Sequence, residues 1–166
     1  MNKNIALLVM AAALVLVGAG CGKTTTMISG DQAASRDQVV RTAAFLDLSN
    51  QGLTKVPADV FGRTGLEVLD LSNNRLTGAI PAEIRLLQKL KTLNLSNNEM
   101  TGLPAEVGQL RDLEVLDLSN NQLTGLPNEL RNLSKLRTLN LAGNPYSAAD
   151  LEYIRQGLPN AVIIIK

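Results

Sequence analysis

Along most of the chain the apolar positions keep one register. Leu-x-Leu pairs stand at 46/48, 69/71, 93/95, 116/118 and 139/141, at steps of 23, 24, 23 and 23 residues. A fuller pattern, Leu-x-x-Leu-x-Leu-x-x-Asn-x-Leu, surrounds them. It reads Leu66, Leu69, Leu71, Asn74, Leu76, and then Leu90, Leu93, Leu95, Asn98, Met100. The next copies are Leu113, Leu116, Leu118, Asn121, Leu123 and Leu136, Leu139, Leu141, Asn144, Tyr146. A first, worn copy has Ala43, Leu46, Leu48, Gln51 and Leu53. The alternation in x-Leu-x-Leu-x predicts a short strand with both leucines on one side. A fixed period of this length predicts stacked repeats, each adding a parallel strand about 4.8 Å from the last. No repeat can bury its own leucines, so the stack supplies the core, at ~1.5–3 kcal/mol per buried Leu before entropy.

The return arm of each repeat is patterned too. Val56-Pro57, Ile80-Pro81, Leu103-Pro104 and Leu126-Pro127 are each followed, three residues after the Pro, by Val60, Ile84, Val107 or Leu130. Pro presets the backbone at the entry to a short helical turn. The single 24-residue step comes from Thr77-Gly78-Ala79-Ile80-Pro81, one residue longer than Thr101-Gly102-Leu103-Pro104. The Asn column (Asn74, Asn98, Asn121, Asn144) stands where the chain leaves the strand, where an amide can donate to and accept from backbone groups the turn leaves unpaired. At the C-terminal end Ser147-x-x-Asp150 resembles a capping box, with Tyr146 and Leu151 at the spacing of a hydrophobic staple. A helix there is expected to end at Gly157, with Pro159 two residues later, and Val162 to Ile165 to form a closing strand. At the other end, Gln38 to Phe45 is expected to start the first strand.

These motifs resemble the leucine-rich-repeat family over residues 40 to 160. The resemblance implies an α/β solenoid: a right-handed curved stack of about five repeats with a short parallel sheet on the concave face. Short helical or 3-10 turns would line the convex face, with a C-terminal capping helix and strand. The repeats fall near 43–65, 66–89, 90–112, 113–135 and 136–158, with a cap to 166. The longer 24-residue form is similar to the plant-type subclass of the family.

Family members usually bind partners on the concave face, which makes its columns the candidate site. One column is Asp47, Asp70, Asn94, Asp117 and Asn140. The next, Glu67, Lys91, Glu114 and Arg137, alternates in sign between neighbouring strands, which supports the stack by tenths of a kcal/mol per pair. A third is Ser49, Ser72, Ser96, Ser119 and Ala142. The face reads as a polar docking surface for another protein or as a solvated, self-compensating one. Calcium does not fit, because Asn94 and Asn140 interrupt the acidic column and calcium needs six to eight converging oxygens. Of the residue types that dominate binding hot spots, these columns hold only Phe45 and Arg137.

Composition narrows the chemistry. Sixteen basic and fifteen acidic residues nearly cancel, so no long-range field favours nucleic acid. With no His and one Cys, a disulfide framework and the common zinc sites are excluded, and no catalytic constellation stands out. The chain therefore reads as non-enzymatic and without a cofactor.

The first 20 residues have the order of a secretory signal: Lys3 near the terminus, an uncharged apolar run from Ile5 to Val17, then Gly18-Ala19-Gly20. That run is short of the about 20 residues a membrane span needs. Ala19, Gly20 and Cys21 resemble the bacterial lipobox, which implies a diacylglycerol on Cys21, cleavage before it, and a lipoprotein at the cell surface or outer membrane. Gly18 departs from that pattern, and Gly18-x-Gly20 also suits ordinary signal peptidase, which would release a soluble protein with a free thiol. Residues 21–37 read as a flexible tether, and 38–166 as the repeat domain. Gly22-Lys23-Thr24 suggests a phosphate-binding loop, but Val17 stands where its first glycine is required, so no nucleotide is expected. Two functional classes follow: a surface-anchored module for protein–protein interaction, and a structural or cell-wall-associated envelope lipoprotein without a discrete ligand.

Overall fold

The computed structural model of the protein describes residues 44–166, and the signal, Cys21, the tether and residues 38–43 lie outside them. Six strands form one parallel sheet: β1 (Phe45–Asp47), β2 (Val68–Asp70), β4 (Thr92–Asn94), β6 (Val115–Asp117), β7 (Thr138–Asn140) and β8 (Val162–Ile164). Neighbours pair in strict register, with Leu46, Leu69, Leu93, Leu116, Leu139 and Ile163 side by side. The first four strands of this sheet are each followed by a return arm carrying a five-residue 3-10 helix: η1 (Ala58–Gly62), η2 (Ala82–Leu86), η3 (Ala105–Gln109) and η4 (Asn128–Asn132). Pro57, Pro81, Pro104 and Pro127 occupy the N-cap positions of these helices, one residue earlier than the first helical position where Pro is most at home. After β7 a ten-residue α-helix, α1 (Ala148–Gly157), leads into β8.

The core lies between sheet and return arms. Leu69, Leu93, Leu116 and Leu139 are fully buried, as are Leu95, Leu118 and Leu141, and Val107 and Leu130 close it from the other side. The strands are three residues long, shorter than the five-residue pattern suggests. The second leucine of each pair lies just past the strand yet stays on the ladder: Leu71 N–H donates to Asn94 O at 2.8 Å and Leu95 N–H to Asp117 O at 2.8 Å. The next residue turns its N–H toward the Asp or Asn side chain two residues back, and the bonds between repeats then resume, Asn73 N–H donating to Ser96 O at 3.0 Å and Asn97 N–H to Ser119 O at 2.9 Å.

The extra residue of the 24-residue step leaves the main sheet undisturbed, since Leu69 still pairs with Leu93. The chain absorbs it further on, where Gly78 adopts a φ of +67° and a two-residue strand, β3 (Thr77–Gly78), pairs with β5 (Glu99–Met100).

One expectation for the C-terminal cap needs correction. Ser147 is the N-cap and its Oγ accepts from Asp150 N–H at 3.5 Å, but the Asp150 carboxylate does not return the bond. It accepts instead from Leu126 N–H, 3.2 Å away in the preceding return arm, so Asp150 ties the helix to the stack. The helix does end at Gly157, which is itself helical and has no left-handed backbone; Leu158 is the C-cap, at φ −123°. A Cβ on Gly157 would lie 2.4 Å from Arg131 Cβ, so the glycine is needed for the close approach of α1 to η4. Arg131 also stacks over the Tyr153 ring, its guanidinium carbon 4.6 Å from the ring centre.

Candidate functional site

The Asp/Asn row alternates with the inward leucines along the strands and so lines the open face of the sheet. Each member accepts from the backbone N–H two residues on: Asp47 from Ser49, Asp70 from Ser72, Asn94 from Ser96, Asp117 from Ser119 and Asn140 from Ala142, at 2.8–3.2 Å. The row is also bonded sideways. Asn94 Nδ2 donates to Asp70 Oδ2 at 3.2 Å, and Asn140 Nδ2 to Asp117 Oδ2 at 3.1 Å. Alternating Asp with Asn thus lets an amide on one strand bridge to a carboxylate on the one before. Asp70 is 6% exposed and offers almost no surface; Asp47 is the exposed acid of the row.

Just before each strand stands the charged row. Lys91 Nζ lies 2.7 Å from Glu67 Oε2, and Arg137 Nε 3.4 Å from Glu114 Oε2. The Glu67 carboxylate, through its hydrogen bond and its charge, raises the Lys91 pKa above its ordinary 10.5. These partners sit on neighbouring repeats and are well exposed, so each pair adds little to stability.

Between these rows runs a column that the leucine pattern does not single out: Phe45, Val68, Thr92, Val115, Thr138 and Val162, adjacent in the sheet register. Phe45 and Val162 are exposed, at 45% and 65%, and the four between are half-buried. The signal for it was the β-branched residue immediately before the first Leu of the last four pairs. The sheet therefore presents a stripe of methyl groups flanked by polar side chains whose own bonds are largely satisfied.

The Ser column stands behind the face: Ser72, Ser96 and Ser119 are buried at the strand exit. The Asn column lies two residues further on, with Asn74, Asn98 and Asn121 also buried. Asn98 Nδ2 donates to Leu71 O and Leu95 O at 3.0 Å each, while its Oδ1 accepts from Leu76 N–H at 3.0 Å. Asn74, Asn121 and Asn144 make the corresponding bonds, each joining two consecutive repeats. Among the described residues every buried side-chain nitrogen and oxygen has a partner.

Among the described residues no group of three or more His, Cys, Asp or Glu side chains is placed to hold a metal ion, and no helix is long and apolar enough to cross a membrane. A shallow cleft of about 290 Å³ opens beside the longer repeat, lined by Lys55, Val56, Ala79, Ile80, Pro81 and Met100 among others.

The family model described as leucine rich repeat matches residues 43–100 and 88–145. Among solved structures, an LRR protein of Leptospira interrogans is 41% identical with a TM-score of 0.68, over 76% of this chain and 32% of that one. The LRR ectodomain of the receptor kinase SOBIR1 from Arabidopsis thaliana is 30% identical with a TM-score of 0.59, over 72% of this chain and 67% of that one. The plant peptide hormone receptor RGFR1, solved in complex with RGF2, is 36% identical with a TM-score of 0.61, over 73% of this chain and 20% of that one. The chain thus spans about a third of the Leptospira protein's length. No curated protein matches the sequence.

Proposed function

Because the chain belongs to the leucine-rich-repeat family, we propose that it is a non-enzymatic binding module that receives a protein partner on the open, concave face of its sheet. Domains of this family typically mediate protein–protein interaction, and ectodomains of plant receptors are among the structures similar to it. The observation that carries the reading is the half-buried column Val68, Thr92, Val115 and Thr138 between two polar rows. Covering methyl groups is the favourable part of docking, and satisfied polar groups around them form a rim that costs little to desolvate. Five acids (Asp47, Asp70, Asp117, Glu67, Glu114) stand against two bases (Lys91, Arg137) on this face, a net of three negative charges. A partner with basic residues around an apolar strip complements it.

We place the module outside the cell membrane, held by a lipid on Cys21 with residues 21–37 as its tether, at the cell surface or outer membrane. The support is the charged, apolar and small-residue order before Cys21. Mass spectrometry of the mature N-terminus tests this: a diacylglyceryl-Cys21 is expected, and an unmodified thiol in the medium means a secreted soluble protein.

The docking face is tested by capture from envelope extract with the full chain. Beside it stand a Thr92→Arg/Thr138→Arg double variant and a Leu86→Lys variant on the exposed return side. A partner held by native and Leu86→Lys protein but lost by the double variant is the expected result. One kept by the double variant moves the site off the sheet face. No partner for any form favours the structural envelope reading, which the self-compensating ion pairs also suit.

A further inference from the structure

The open face carries one pattern twice. Leu66-Glu67-Val68-Leu69-Asp70-Leu71-Ser72-Asn73-Asn74 recurs unchanged, two repeats on, as Leu113-Glu114-Val115-Leu116-Asp117-Leu118-Ser119-Asn120-Asn121. The repeats that follow them also correspond, with Lys91, Thr92 and Asn94 answered by Arg137, Thr138 and Asn140. The unit of the face is therefore a pair of strands, β2 with β4 and β6 with β7, and the four stand consecutively inside the sheet. Each unit presents one Val, one Thr, a Glu paired with a base, and an Asp bridged by an Asn. Each thus holds two acids and one base. Strands about 4.8 Å apart set equivalent groups of the two units about 9.6 Å apart.

We infer that the partner presents to this face a basic, proline-rich stretch in the polyproline II conformation, with a cation at every third residue; the inference rests on the sheet face being the docking surface. That helix has about three residues per turn and rises about 3.1 Å per residue, so its equivalent side chains recur about every 9.3 Å. An extended strand repeats one face at about 6.7 Å, and an α-helix turns every ~5.4 Å with a body about 10–12 Å wide. Polyproline II also leaves its backbone bonded to water. That suits a face whose strand N–H and C=O groups are taken up by neighbouring strands. The prolines cover the methyl groups of Val68, Thr92, Val115 and Thr138. The cations meet Glu67 and Glu114, which are 42% and 38% exposed and each engaged by a base through Oε2. Proline sets the backbone before binding and so lowers the ordering cost of docking.

Fluorescence anisotropy of the full chain, in mild detergent with Cys21 kept reduced, tests this with labelled synthetic peptides. A peptide of four Pro-Pro-Lys triplets should bind saturably, and a single triplet about tenfold or more weakly, because it reaches only one unit. A peptide of the same composition with its lysines gathered at one end should be weaker by a similar factor. Glu67→Gln/Glu114→Gln should lose about tenfold in affinity for the spaced peptide while keeping the native melting curve, and Leu86→Lys on the return side should bind like native. The inference is overturned if native protein does not bind the spaced peptide, if the gathered-lysine peptide binds equally well, or if the double Gln variant binds like native. A partner captured from envelope extract and lost by Thr92→Arg/Thr138→Arg, beside a native chain that ignores the spaced peptide, overturns this inference and leaves the docking face standing.

Discussion

At three of the five strand exits two positions in succession carry asparagine, for unrelated reasons. The second (Asn74, Asn98, Asn121, Asn144) is a hydrogen-bond hub, and its place in the leucine register made it legible in the sequence. The first (Asn50, Asn73, Asn97, Asn120) sits at φ between 53° and 57°, and at the fifth repeat Gly143, at φ +71°, takes its place. That role is a backbone angle, which hydrophobic periodicity does not encode; the exchange of Asn for Gly was its trace. Substitution should separate the two. Asn98→Ala strands Leu76 N–H and several buried carbonyls, so urea unfolding should show a loss of about 2–5 kcal/mol. Asn97→Ala should cost only ~1 kcal/mol, and Asn97→Gly should stay within about 0.5 kcal/mol of native. Equal losses for Asn98→Ala and Asn97→Ala would remove the distinction. Asp112 gives a pH-dependent case. Its hydrogen bond and charge interaction with Lys135, 2.7 Å away, lower its pKa below the ordinary 3.8. Its contribution is therefore present above 3.8 and is lost as pH falls through the lowered value. Melting curves of Asp112→Asn should lie slightly below native at neutral pH and coincide with it near about pH 2; a gap that widens on acidification would reverse the sign.

Elements depart from the sequence reading where contacts between neighbouring repeats, and not local pattern, decide. The position of Pro57, Pro81, Pro104 and Pro127 announced the return helices, whereas nothing local announced that glycine is needed for two of the helices to approach. A Cβ on Gly108 in η3 would lie 2.3 Å from the backbone oxygen of Glu129 in η4. Gly157 meets Arg131 in the same manner. A periodic sequence shows which residues recur, but not how closely two return arms pass. Gly108→Ala should cost about 1–3 kcal/mol through enforced separation of η3 and η4. Gly65→Ala, which meets nothing within 4 Å, should stay within about 0.5 kcal/mol of native. Comparable denaturant midpoints for the two variants would mean the return arms have slack.

Over the whole stack, the repeat count, the sheet register and the position of the core were legible because one residue type at one spacing specifies all three. The methyl column of the open face was not, since Val and Thr before a leucine read as ordinary strand formers until the strands stand side by side. Stacking also grades stability along the solenoid, because each repeat is held by its neighbours. Leu116 is fully buried between strands on both sides, whereas Leu46 and Leu48 of the first described repeat are only partly buried. Leu116→Ala removes a side chain from a site with no room to collapse and should cost ~2–5 kcal/mol. Leu48→Ala should cost less than half as much, because part of that side chain already meets solvent. Amide exchange should follow the same order, slowest in β4 and β6 and faster in β1. Uniform protection from β1 to β8, with equal losses for the two leucines, would mean that the stack opens as one cooperative unit and that β1 is held as firmly as the centre.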